Sequence, residues 1–430
     1  MSQLSRASGA SFPPRRSLLT LAAGGVLAAG LSACAMPTRL AAVPGKRSSA
    51  ATVLGVPNER FFVTEAAGQA ALQQEFINAV LRLNASRGVS GTATLPDVDL
   101  LGISGGGDNG AFGAGLLNGW SERGGRPTFF LVTGISTGAL SAPFAFLGSA
   151  WDAKLKSVYT DITLADVLVQ RSFTAAIWDD GMADNSPLLK TISRYFDEAM
   201  MADIARAYDS GRLLLIGTSD LDAQMPVIWN IGAIARSGHP KALDTMRRIL
   251  LASAAIPGAF SPVLFDVTLD GQPLQELHVD GGAFAQVFLY PASVSRYRRD
   301  RLARGLPVTS ARAWVIRNAR LDPEWASVDR RTLSIAGRAI SSMIASSGYN
   351  DVLRIYAAAE RDRVEYNLAY IRPDFTVVYD KPFEQSYMRP LYEYGRQHAL
   401  RGDEWVKQPP MLDQPPPSAA SPSTVPPVRS

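Results

Sequence analysis

Three short stretches hold the residues whose types and spacing could do chemistry. The first is "GISTG", in which Ser136 lies between Gly134 and Gly138 directly after the apolar run "FFLVT". A serine hydroxyl is a weak nucleophile until a neighbouring base takes its proton. Placed on the turn between a buried strand and a helix, with small neighbours that permit the sharp reversal, it has the setting of a nucleophile elbow. The helix dipole then favours the developing alkoxide. The second stretch is "SGGGDNG", where Gly105, Gly107 and Gly110 fit G-x-G-x-x-G between a strand and a helix. In a dinucleotide fold the following strand ends in an acid that holds the ribose, whereas here it reads "FFLVTGIS". The same backbone physics serves an anion site, with successive N–H groups and a helix N-terminus facing negative charge, and a transition-state oxyanion is such an anion. The third stretch is "HVDGG", Asp280 followed by Gly281 and Gly282. A carboxylate held in a dry site that raises its pKa could accept the serine proton, although D-G-G alone reads as a turn.

The other candidate bases are the three histidines. His278 stands two residues before Asp280, on the same face of a strand, and competes with it for the role. His239, in "SGHPKAL", and His398 read as surface or loop residues. Pro143 falls inside the helix expected after Ser136, where an interior proline costs about 3 kcal/mol, so a kink or a short first turn is expected. Ala111, Gly115 and Gly119, four residues apart, form a small-residue stripe that lets their helix pack close to the sheet.

The elements that must position these groups follow from the apolar runs. Residues 98–105, 128–136, 212–220, 225–233, 311–320 and 375–380 read as short strands bounded by turn residues. The first two are almost continuously apolar, as parallel strands covered by helices on both faces would be. Helical periodicity covers 65–85, 186–211 and 333–363. Strands alternating with helices define an α/β chain without internal repeats.

The two ends differ from this body. Residues 1–33 contain Arg6, Arg15 and Arg16, no acid, and the apolar run "LLTLAAGGVLAAGLSA", the pattern of a signal peptide. That run is shorter than the roughly 20 residues of a membrane-spanning helix. "LSAC" resembles the lipobox of bacterial lipoproteins, which makes Cys34, the only cysteine, the expected lipidation site. Residues 34–58 then read as a lipidated tether, and 408–430, rich in proline, as a disordered tail. Without the three leader arginines the formal charge falls from +4 to +1, and basic runs interleaved with aromatics are missing, so nothing supports a nucleic-acid partner. A single cysteine leaves no disulfide, so the fold depends on its core.

Taken in order, the G-G-G loop, G-x-S-x-G and D-G-G, together with "LLASAAIPGAFSPV" at 250–263, resemble the patatin-like phospholipase family over about residues 98–290. The resemblance implies a three-layer α/β/α fold with a mostly parallel central sheet, and a Ser-Asp dyad without histidine. Ser136 would be the nucleophile, Asp280 the base, and the amides of Gly106 and Gly107 the oxyanion hole, with Gly105, Gly110, Gly134, Gly138, Gly281 and Gly282 as motif glycines. The family often carries arginine or lysine where this chain has Asn109. Residues 59–97 become a helical lead-in and 291–407 an extension packed on the same domain. The expected protein is an exported, lipid-anchored acyl hydrolase acting on phospholipids or related lipids, without metal or cofactor and with no protein partner indicated. Ala35 after the cysteine favours the outer membrane in a Gram-negative host. The competing expectation is a catalytically inactive lipid-binding or structural envelope lipoprotein with the same fold.

Overall fold

The computed structural model describes residues 39–89, 97–170 and 183–412. The expected signal peptide, Cys34 and the tail beyond Leu412 lie outside the described residues. In chain order the elements are β1 (Arg60–Phe62), α1 (Ala66–Ser86), β2 (Val98–Ile103), α2 (Gly110–Arg123), β3 (Leu131–Gly134), α3 (Thr137–Leu147) and α4 (Asp152–Thr160). A two-stranded ribbon, β4 (Val169–Gln170) and β5 (Ala183–Asp184), precedes α5 (Ser186–Tyr195) and α6 (Glu198–Asp209). Next come β6 (Leu213–Asp220), β7 (Met225–Asn230), α7 (Ile231–Arg236), α8 (Ala242–Ser253), β8 (Val263–Leu269) and β9 (Gln272–Asp280). The last elements are α9 (Ala292–Ala303), β10 (Ala311–Arg317), α10 (Thr332–Asp362), β11 (Glu365–Tyr370) and α11 (Gln385–Arg401).

The main sheet runs β1-β7-β6-β3-β2-β10-β11, with the β8–β9 hairpin attached through β9 to β6. Pairs from β6 through β3, β2 and β10 to β11 are parallel, while β1, β7 and the hairpin pair antiparallel. Because side chains alternate across a strand, one strand feeds two cores. Leu101, Ile103, Val132, Leu214 and Ile216 pack with Phe112, Phe144 and Ile249 on one side. Leu100, Leu131, Leu213, Leu215 and Val315 pack with Leu72, Phe76 and Val352 on the other. Helices cover both faces, so the fold is a three-layer α/β/α sandwich with a mostly parallel sheet.

Several expectations need correction. Residues 375–380 contain no strand; the edge strand is β11, whose buried Tyr366, Leu368 and Ala369 pair in register with β10. The helical run 186–211 is broken at Asp197, which caps α6 by accepting from the Met200 amide at 2.9 Å. The β8–β9 hairpin lies outside the expected strands; its turn is Asp270-Gly271, both at positive φ, after the alternating apolar residues of β8. α3 starts directly after Ser136 and runs through Pro143 to Leu147, with Phe144 and Phe146 buried, so its first turn is not cut short. The stripe at Gly115 and Gly119 faces α11 rather than the sheet: a Cβ at either would run into the carbonyls of Tyr392 and Arg396. His398 is buried on α11, with Nδ1 2.6 Å from an Asp403 oxygen.

The expected tether is also shorter than its sequence indicates. Ala42 bridges to Gln275 and Thr52 to Thr268, which ties this segment to the hairpin. Val43 and Ala51 enter the core, and the Glu59 carboxylate accepts the amides of Val53, Leu54 and Val56. The segment lacks periodicity because it is fixed by isolated bridges and by one carboxylate, neither of which leaves a pattern in the sequence.

Candidate active site

The register of β6 brings the distant residues together. β3 ends with Gly134 opposite Ile216, and two residues further along β6, Thr218 is paired with Asp280 of β9. β9 therefore continues the edge that β3 leaves, and Asp280 arrives where the chain turns through Ser136 into α3. Ser136 has φ 55° and ψ −126°, a strained conformation for a residue with a side chain, of the kind that holds a nucleophile on a sharp turn. Its amide donates to Ser253 Oγ at 3.1 Å, and Ser253 donates to the Gly217 carbonyl at 2.7 Å. The amide is thereby occupied, and the strained turn is tied to α8 and β6.

The Asp280 carboxylate faces the Ser136 side chain, which favours its charged form, and accepts the Gly282 amide at 2.7 Å. Asp280 is 4% exposed. Burial pushes its carboxyl up to about 7, against the opposing effects of the Ser136 side chain and the Gly282 amide. Gly281 lies against the Gly217 carbonyl, and Gly282 beside the Gln286 side chain, where a Cβ would not fit.

The glycine loop lies on the other side of Ser136. A Cβ at Gly105 would sit 3.1 Å from the Ser136 Cβ. Gly106 has φ 156° and lies so close to the Asn318 carbonyl that only hydrogen fits there. Among the described residues no acceptor is recorded for the amides of Gly106 and Gly107, which sit just ahead of α2. Gly110 packs on the Thr137 hydroxyl, Gly138 on the Ile103 carbonyl and Gly134 on the Gly138 carbonyl. The motif glycines thus let the loop, the elbow and the end of β2 approach at backbone contact.

Several positioning residues are not apparent from the sequence. Asn318, after β10, donates from its backbone and side-chain nitrogens to Ser104, and its Oδ1 accepts the Gly113 amide. Gln286 donates to the Gly282 carbonyl at 2.9 Å, and its own amide is accepted by Asp351 at 2.6 Å. Arg317 is buried behind Ser104, and burial lowers its pKa to about 10. Asn109, where the family often has a cation, accepts from the Tyr387 hydroxyl at 2.7 Å. Asn318, Arg317 and Tyr387 come from the region expected to be an added extension, whereas β10 is an integral neighbour of β2.

His278 does not reach the serine. Its Nδ1 lies 2.9 Å from Thr218 Oγ1, its Nε2 3.2 Å from Glu276, and the ring packs on Trp229 and Phe265. With Asp220 it forms a buried trio whose ligand atoms lie within 4.8 Å of one another. The Arg60 guanidinium is ion-paired with the Glu276 carboxylate of this trio. An apolar cavity of about 130 Å³ lined by Leu100, Phe130 and Ala311 lies at the opposite end of the strands from Ser136, so it is not part of this site. His239 is partly exposed beyond α7, with Nδ1 accepting the Lys241 amide.

Residues 101–293 match the family described as patatin-like phospholipase. This part of the chain is similar to that family's domain. Among solved structures, VipD from Legionella pneumophila is similar over 72% of this chain and 68% of its own, at 11% identity and a TM-score of 0.34. No curated protein matches the chain. Among the described residues no helix is long and apolar enough to cross a membrane.

Proposed function

We propose that the protein is a serine acyl hydrolase that cleaves ester bonds of phospholipids or related lipids through Ser136 and Asp280. The observation that carries this reading is the placement of the strained Ser136 beside the buried Asp280 carboxylate, whose pKa burial raises to about 7. Asp280, ionised, takes the hydroxyl proton as Ser136 Oγ attacks the ester carbonyl. Charge develops on the carbonyl oxygen beside the amides of Gly106 and Gly107, which need no reorganisation to meet it. Collapse of the tetrahedral intermediate expels the alcohol, which takes the proton back from Asp280. Water, deprotonated in turn by Asp280, then releases the fatty acid from Ser136. No step uses a metal or a cofactor.

The test is hydrolysis of a short-chain nitrophenyl ester and of a phospholipid by wild type, Ser136→Ala and Asp280→Ala. Both variants should lose a thousandfold or more in kcat/KM, and wild-type rates in either would remove the dyad. The export route belongs to the same proposal: Cys34 carries the lipid, and the protein is anchored to the bacterial cell envelope, at the outer membrane in a Gram-negative host. Palmitate labelling should vanish in Cys34→Ser, and labelling that persists would remove the anchor.

A further inference from the structure

The α10 helix is much longer than the strands it crosses. It connects β10 to the parallel β11 and so runs against the strands, starting at the sheet edge where Ser136 and Asn318 lie and ending at the other. Its second half is embedded: Gly348 abuts the Arg317 guanidinium, Asp351 accepts the amides of Gln286 and Val287, and Val352, Ile355 and Ala359 lie in the core. Gly348 is already level with the active site. Residues 332–347, roughly 24 Å of helix at 1.5 Å per residue, therefore extend beyond the catalytic edge of the sheet.

This projecting half is amphipathic in the reverse sense. Ile335, Ala336, Ala339, Ile340, Met343 and Ile344 fall on one face, with Ser334, Arg338, Ser341 and Ser342 on the other. The more covered residues are on the polar face: Ser334 and Arg338 are half-buried, and Arg338 donates to the Glu324 carbonyl. The apolar face meets solvent, with Ile335 54%, Ile340 50% and Met343 71% exposed. On the neighbouring loops at the same edge, Trp325 is 90% and Val378 80% exposed. An apolar patch turned outward beside a catalytic mouth marks an interaction surface. From Arg330 to Asn350 the chain has three arginines and no acid, which complements anionic phosphates at an interface that also suits an exposed tryptophan.

We propose that the projecting half of α10, with Trp325 and Val378, docks on an anionic lipid bilayer and lays its apolar face into the interface, setting the Ser136 mouth on the membrane. The choice of a lipid partner rests on the acyl-hydrolase reading, but the test does not need turnover. Replacing Cys34 by serine removes the only cysteine, so Met343→Cys in the full chain gives one site for an environment-sensitive nitrobenzoxadiazole label. On adding phosphatidylcholine–phosphatidylglycerol vesicles, that label should shift to the blue and brighten several-fold, while a label at Ser341→Cys should change little. Ile340→Ser with Ile344→Ser should weaken vesicle binding at least about tenfold and leave soluble-ester hydrolysis unchanged.

No shift at position 343, equal shifts at both positions, or a shift that needs no vesicles and grows with protein concentration, as a second copy would give, overturns the proposal. Shift without ester hydrolysis in the Met343→Cys protein upholds the docking and removes the hydrolase. Hydrolysis without a shift does the reverse.

Discussion

The Asp280 carboxylate faces the Ser136 side chain across the end of β3, at the point where β9 replaces β3 as the neighbour of β6. Two residues far apart in sequence meet because a single strand, β6, sets the register of both of their strands. The proposed chemistry rests on two local conditions, the strained turn at Ser136 and the dry surroundings of Asp280.

The first prediction concerns rate and pH. As the proposed base, Asp280 would work only when ionised, and burial pushes its carboxyl up to about 7. The kcat/KM of a soluble ester should therefore fall about tenfold per pH unit below pH 7 and level off above it. A pH profile that stays flat down to pH 5 would mean that some other group takes the proton.

The same carboxyl makes a stability prediction of opposite sign. Its pKa is raised in the folded state above the ordinary 3.8, so the neutral form is favoured by folding. That stability is present at low pH and is lost as pH rises towards and through about 7. Asp280→Asn, neutral throughout, should gain on wild type by about 2–3 kcal/mol between pH 5 and pH 8. Thermal unfolding at the two pH values checks this, and the variant should be inactive at both.

His278 is predicted to matter for folding. Both ring nitrogens are engaged by Thr218 and Glu276, away from Ser136. His278→Ala leaves a buried cavity and unpaired polar groups, at a cost of about 2–4 kcal/mol. Activity per folded molecule should fall far less than the thousandfold expected of a base. Urea unfolding alongside single-concentration rates would separate the two.

The glycine loop offers a contrast between neighbours. Gly106→Ala would drive a Cβ into the Asn318 carbonyl, whereas Gly107→Ala points into open space at φ 58°. Gly107→Ala should cost about 1 kcal/mol of stability. Gly106→Ala should distort the loop and, where the protein still folds, lower kcat by about a hundredfold or more. Melting temperatures and initial rates for the two variants give the comparison.

These outcomes bear on what the sequence could disclose. Ser136, Asp280 and the glycine loop were legible because each lies in a short motif whose residue types answer a local demand: a sharp turn, a close backbone approach, an acid before a tight bend. The strands 98–105 and 212–220 were legible because burial on both faces leaves near-continuous apolar runs. Ser253, Asn318 and Gln286 were not, since an ordinary polar residue becomes a positioning residue only through partners that the fold supplies. The partner of α2 was hidden for the same reason, because a Gly115–Gly119 stripe declares close packing but not against what. "FTVVYD" looked more like a strand than "EYNLAY", yet register with β10 decided for the latter. His278 shared a strand with Asp280, and spacing alone could not show that Thr218 and Glu276 hold it.

The most direct measurement of the central claim is covalent labelling of the purified protein by a fluorophosphonate, with the adduct mapped by mass spectrometry across pH. The account predicts one adduct, on Ser136, forming faster as pH rises through about 7 and lost in Asp280→Asn. An unlabelled protein, an adduct on another residue, or undiminished labelling in Asp280→Asn would contradict it.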